Sequence, residues 1–142
     1  MEPLDLRLYR PRSPYLRLAG VAYTARAIDK LRASLPGGEL NGYFPFSGFS
    51  TIWQRATKIS LEDMRATVAD AADEATVVAW IDGRLDAKAI DRERCSLRME
   101  GARHSDMPEA WRADFEALYA ATLRERYPLA FDLFEADDDL TY

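Results

Sequence analysis

RSPYLRLAGVAYTARAIDKLRASL, residues 12–35, decides how this chain is read. Ser13 followed by Pro14 is a helix-start signal: serine can accept from free backbone amides, and proline at the first helical position gives up only an amide that would be unpaired anyway. Pro36-Gly37-Gly38 is an equally plain stop. Between them Leu18, Val21, Ala22, Ala25, Ile28 and Leu35 recur at spacings that share one side of a helix. The spacing therefore predicts one long amphipathic helix over 14–35 with that side facing the core. Gly20 falls off the line, where a missing side chain lets a neighbouring backbone come close.

Two charges interrupt the apolar stripe. On a helical projection Asp29 falls between Leu18 and Ala22, and Arg32 falls beside Ala25 and Val21. Three positions apart, they can reach each other, and Arg26 supplies a second cation three positions before Asp29. Buried charges persist only when paired and hydrogen-bonded, so the plainer reading is a structural ion pair between Asp29 and Arg32. The functional reading is a polar cluster at the mouth of a cavity. There Arg26 or Arg32 grips a small carboxylate or phosphate, Asp29 orients it, and Tyr43 stands alongside.

Tyr43 belongs to PGGELNGYFPFSGFS, residues 36–50, which interleaves Tyr43, Phe44, Phe46 and Phe49 with glycines, prolines and serines. A loop of this composition is expected to fold back and bury its rings, plugging the end of a helical bundle or lining a pocket beside it. Beyond it the text is helical with frequent stops. Ile52 and Trp53 mark a short segment over 51–57. Ser60 caps a helix carrying Leu61, Met64 and Val68, with Asp63 completing a capping box. Asp73-Glu74 opens the next, whose dense Val77, Val78, Trp80 and Ile81 leave a buried strand as an alternative to helix until Gly83 ends it. Residues 85–100 are rich in charge and read as a solvated helix or an irregular connection. A last long helix runs from Asp106 as cap, through Pro108, to Pro128, with Trp111, Phe115, Leu118, Tyr119 and Leu123 on one side.

These signals predict an all-α fold: one domain over 1–142 with about five or six helices, the helices beginning at Pro14 and near Pro108 forming the main packing pair. Residues 1–12, with Pro3 and Pro11, are expected to run extended as an N-terminal arm, and 136–142 to form a solvated acidic tail. A chain of this length suits a single domain, and its 48% hydrophobic and 30% charged residues exclude a disordered class. The longest apolar run, ATVVAWI at 75–81, is far short of the roughly 20 residues that a membrane span needs. No secretory signal is recognisable at the N-terminus, so a cytoplasmic location is expected. Cys95 is the single cysteine, which rules out an internal disulfide and a thiolate metal cluster.

Charge is unevenly spread. Residues 1–32 carry seven of the 19 lysines and arginines but only three of the 24 acids. The plain reading is that the arm with Arg7, Arg10 and Arg12 lies across an acidic surface of its own chain or of a second subunit. A net charge of −5 makes nucleic acid an unlikely partner, although Arg7, Arg10, Arg12 and Arg17 are the residues such contact would use. His104, in GARHSD, has no nucleophile signalled nearby and no second ligand at helical spacing. Asp137, Asp138 and Asp139 diverge as consecutive side chains and do not form a calcium loop. No metal site, cofactor motif or catalytic signature is recognisable.

Several pieces taken together resemble a bacterial family known only as a domain of unknown function: R-S-P at 12–14, L-x-G at 18–20, I-D-K at 28–30, G-Y at 42–43, the tryptophan of VVAWI and the close FDLFEADDD. The resemblance implies a small, single-domain, mainly helical, soluble protein without an assigned activity. It also implies an aspartate soon after the loop tyrosine, where this chain reads FPFSGFS. Three functions are compatible with the sequence: a noncatalytic binding or interaction module, with a protein partner or self-associating through the basic arm; a small-anion site or enzyme at Arg26, Asp29, Arg32 and Tyr43; and nucleic-acid contact through the arm.

Overall fold

Residues 12–23 are not the first half of a helix. Ala19 and Gly20 both have positive φ (52° and 72°), and Leu18 and Val21 exchange backbone hydrogen bonds across them. Such a two-residue reversal is hairpin geometry, incompatible with a continuous helix. Tyr23 is left-handed again (φ 70°) and its amide donates to the Pro14 carbonyl, closing the segment into a loop. Helix α1 (Thr24–Ala33) therefore begins ten residues later than Pro14. Ser13 caps no helix; its Oγ accepts from the Tyr15 amide and donates to Glu135. The close neighbour of Gly20 is the Arg92 side chain rather than a backbone, and Arg92 also donates to the Ala19 carbonyl.

The structure, a computed structural model, describes residues 1–142 and contains eight helices and no strand. After α1 come α2 (Phe49–Thr57), α3 (Leu61–Asp70), α4 (Glu74–Ala87), α5 (Arg92–Glu100), α6 (Glu109–Leu118), α7 (Ala121–Arg126) and α8 (Ala130–Thr141), with a 3-10 turn at His104–Asp106. Ser60, Asp73 and Asp91 cap α3, α4 and α5 by accepting from the amides of Asp63, Thr76 and Arg94, each satisfying a donor that a helix start leaves free. The fold is thus a single, mainly helical domain, and VVAWI is helix. None of its helices is long and apolar enough to cross a membrane.

Four features differ from expectation. Gly83 does not end its helix; α4 runs on to Ala87, and the space beside Gly83 is open. The element expected over 106–128 breaks at Tyr119-Ala120 into α6 and α7, with Arg124 Nε donating to the otherwise free Tyr119 carbonyl. Asp106 caps nothing, since it lies in the 3-10 turn and α6 has no side-chain cap. Finally, α8 continues to Thr141, so 136–141 is helix rather than an unstructured tail, and Asp138 within it is buried although 139–142 are exposed.

Helix α1 is the axis of the molecule. It is buried on every side: only Arg32 among its ten residues is not fully enclosed. It packs most extensively against α3, not against α6, whose only buried residue is Phe115. The core joins Ile28 and Leu31 of α1 to Trp53, Met64, Val68, Ile81 and Phe131. The N-terminal arm closes one flank by burying Leu6 and pairing its backbone with Glu39. A helix enclosed on all sides has no solvent face, so each polar side chain it carries needs a partner inside the protein.

Candidate functional site

The loop 41–48 does not plug the bundle. Phe44 and Phe46 are about half exposed, Tyr43 is partly covered, and Phe49 alone is buried as the first residue of α2. Between this loop, α1, α6 and α8 lies a cavity of about 520 Å³. Its walls are aromatic and aliphatic, with Phe49, Trp111, Phe115, Leu118, Tyr119 and Phe134 among them. Polar groups enter from Tyr23, Arg26 and Lys30, spaced three and four residues apart at the start of α1 and so on one face, and from Tyr43 and Asp137.

Two of these polar groups form a closed unit. Arg26, 4% exposed, donates through Nη1 and Nη2 to Asp138 at 2.7 and 3.3 Å, and its guanidinium lies over the rings of Tyr43 and Phe134. Tyr43 Oη donates to the same carboxylate at 2.6 Å. Burial opposes the charge of Arg26, but Asp138 outweighs it and the pKa rises; burial and then Asp138 push the Tyr43 hydroxyl well above the ordinary tyrosine value. The cation of Arg26 is thus spent within the protein.

Lys30 differs. It is 5% exposed, and its Nζ donates to Tyr23 Oη at 2.7 Å, yet no carboxylate lies within salt-bridge distance. Burial lowers its pKa, with the Tyr23 hydroxyl pulling the other way. Burial also resists ionisation of Tyr23, but the cations of Lys30 and Arg26 prevail and its pKa falls. Tyr23 Oη lies 3.3 Å from Ser50 Oγ, completing a small polar chain behind the cavity wall. Two acids share the lining, Asp114 and Asp137, and the pKa of Asp137 is raised by burial and then by Asp138.

Comparison with known families adds a second line. The chain matches the domain of unknown function DUF5069 over residues 9–140. It belongs to that family. None of the curated proteins compared with it matches. In this DUF5069 chain the matched residues include Tyr23, Arg26, Lys30 and Tyr43 of the cavity lining, and Asp138 behind it.

Of the four residues singled out in the sequence, the structure brings Arg26 and Tyr43 together at the cavity and leaves Asp29 and Arg32 outside its lining. Asp29 does not pair with Arg32. Its carboxylate accepts from the Arg12 amide and from Arg12 Nε and Nη2, at 2.9–3.2 Å, while Arg12 also reaches Glu74. Arg32 instead donates to the Glu2 carbonyl. Lys30, Tyr23 and Asp138 were missed. Their signal was the Tyr23-Arg26-Lys30 spacing, which becomes informative only once α1 is known to be enclosed.

The remaining candidates have structural partners. His104 Nε2 lies 2.9 Å from the Arg124 carbonyl and its ring stacks on Phe115. The arginines of the arm are held by the chain itself: Arg7 by Asp5, Arg10 by Asp138 and Asp139, Arg12 by Asp29 and Glu74, and Arg17 by Glu93 and Glu100. No cluster of side chains has the arrangement of a metal site.

Proposed function

We propose that this protein is a cytoplasmic, noncatalytic binding protein whose cavity takes a small amphipathic acid, with an apolar body among the aromatic walls and a carboxylate on Lys30. The observation that carries the reading is Lys30 itself: an amine enclosed at the edge of a cavity, hydrogen-bonded to one hydroxyl and with no carboxylate in salt-bridge range. A buried charge costs several kcal/mol unless it is paired. A ligand carboxylate supplies the missing partner and a charge-assisted hydrogen bond, while the walls withdraw apolar ligand surface from water at about 25 cal/mol per Å². The cavity has the size and mainly apolar lining of a small-molecule site.

The two other readings draw less support from the arm. Self-association through the basic arm, or nucleic-acid contact by it, needs cations free to meet a partner, and these are engaged within the chain.

The test is a thermal-shift titration of wild type and Lys30→Met with benzoate, phenylacetate and octanoate. A ligand at 100 times its dissociation constant stabilises the native state by about 2.7 kcal/mol, so a bound acid raises the wild-type midpoint measurably. Lys30→Met removes a buried charge in favour of a side chain of similar length, and is expected to fold at least as well while losing the shift. A wild type that none of the acids stabilises, or a shift that survives in Lys30→Met, overturns the proposal.

A further inference from the structure

A second cavity, about 530 Å³ and sharing no residue with the first, lies between the end of α2, the turn joining α4 to α5, and α5. Ile52, Ile90, Cys95 and Met99 give it apolar surface, and Arg55, Lys58, Lys88, Arg94 and Arg98 line it, against one acid, Asp91. None of the five cations makes a salt bridge or a side-chain hydrogen bond, whereas Arg7, Arg10, Arg12, Arg17, Arg26 and Arg92 are all held by carboxylates. In a chain with more acids than bases, this concentration of unmatched positive charge stands out.

Fold stability accounts for only part of it. Arg55 and Lys58 stand at the C-terminal end of α2, and Lys88 at that of α4, where cations favour the free carbonyls. Arg94 and Arg98 have no such reason. Arg94 is in the first turn of α5, where the helix favours anions, and Arg98 is four residues on, a spacing at which like charges repel. Together with the cations facing them across the cleft they disfavour the empty state and favour one with a multiply charged anion bound.

We propose that this cleft binds a compact phosphorylated ligand of nucleotide size. Guanidinium and ammonium side chains lining one cleft suit the several oxygens of a phosphate ester or pyrophosphate, which a single carboxylate does not match. The apolar surface beneath them suits an organic body. An extended nucleic acid needs a track of cations along its backbone. Here Asp91 lines the cleft itself, and Glu93 lies one residue before Arg94, so the positive surface is short.

Cys95, the only cysteine, lies in this cleft and reports on its occupancy. The experiment follows alkylation of Cys95 in the full chain by iodoacetamide, read by mass, with metal-free ATP, with inorganic pyrophosphate and with a short single-stranded RNA. ATP or pyrophosphate at about ten times its dissociation constant is expected to slow the reaction about tenfold, the ratio set by mass action. Stronger protection by ATP assigns a role to the apolar surface; equal protection by pyrophosphate assigns recognition to phosphate alone. Arg94→Gln combined with Arg98→Gln changes two exposed side chains; both cations favour the Cys95 thiolate, so the unprotected reaction is expected to slow, and the ratio of rates with and without ligand to fall to about one. An unchanged rate at millimolar ATP and pyrophosphate, protection that persists in the double variant, or protection by RNA where ATP gives none, overturns the proposal.

Discussion

Asp29 is enclosed because Arg12 reaches it from the preceding loop, and this pairing separates two accounts of the same aspartate. If Arg12 is the partner, Arg12→Ala leaves an almost fully buried carboxylate without its two guanidinium donors. The backbone amide of residue 12 remains, and the Arg12 side chain is itself about one-third exposed, so the loss is expected at about 2 to 3 kcal/mol rather than the 3 to 5 of a fully buried pair. Arg32→Ala removes only a hydrogen bond to the Glu2 carbonyl and is expected to cost under about 1 kcal/mol. Urea midpoints of the two variants decide it: the reverse order restores the Asp29–Arg32 pair. At this scale the sequence exposed the anomaly and hid its resolution. Charges on an apolar stripe are visible as spacing, but their partners come from residues 17 and 30 positions away, which no periodicity encodes. Lys30 escaped notice for a related reason. A lysine beside a stripe reads as solvated until the neighbouring elements are seen to enclose it.

At the scale of elements, starts written as side-chain caps were legible and interruptions were not. Ser60 and Asp73 cap the helices they were expected to cap, because the bond is local and closes within three residues. Residues 12–23 misled because Val21, Ala22, Ala25 and Ile28 are all buried, as a helix would make them, although a loop delivers the first two. Two glycines test this reading in opposite directions. Gly20 sits at φ 72°, and an alanine there meets the left-handed penalty of about 1 to 2 kcal/mol. Gly83 sits inside α4 facing open space, and an alanine there is expected to gain about 0.5 to 1 kcal/mol. Denaturant midpoints should therefore move down for Gly20→Ala and up for Gly83→Ala. A stabilised Gly20→Ala returns the long helix over 14–35.

For the whole molecule, the uneven charge of the chain is a record of how its ends meet. The basic arm and the acidic helix α8 lie against each other around α1: Arg10 bridges to Asp138 and Asp139, Ser13 donates to Glu135, Tyr15 to Asp132 at 2.5 Å, and Tyr142 to the Leu6 carbonyl. Exposed pairs such as Arg10 with Asp139 contribute little individually. The contact that matters lies beneath them, where Asp138 neutralises Arg26 and receives Tyr43 at the edge of the first cavity. A chain ending at Glu135 would lose nothing important if 136–142 were a solvated tail. In this fold it leaves the Arg26 guanidinium enclosed without a counter-charge, a loss of about 3 to 5 kcal/mol, and frees the Tyr43 loop that closes the cavity. The truncated protein is expected to unfold at markedly lower urea and, where still folded, to lose any thermal shift with carboxylic acids. The single substitution Asp138→Ala, which keeps α8 at full length, should reproduce most of that loss. A truncated chain with the wild-type midpoint would return the acidic end to solvent and remove the anchor that holds Arg26 and Tyr43 in place.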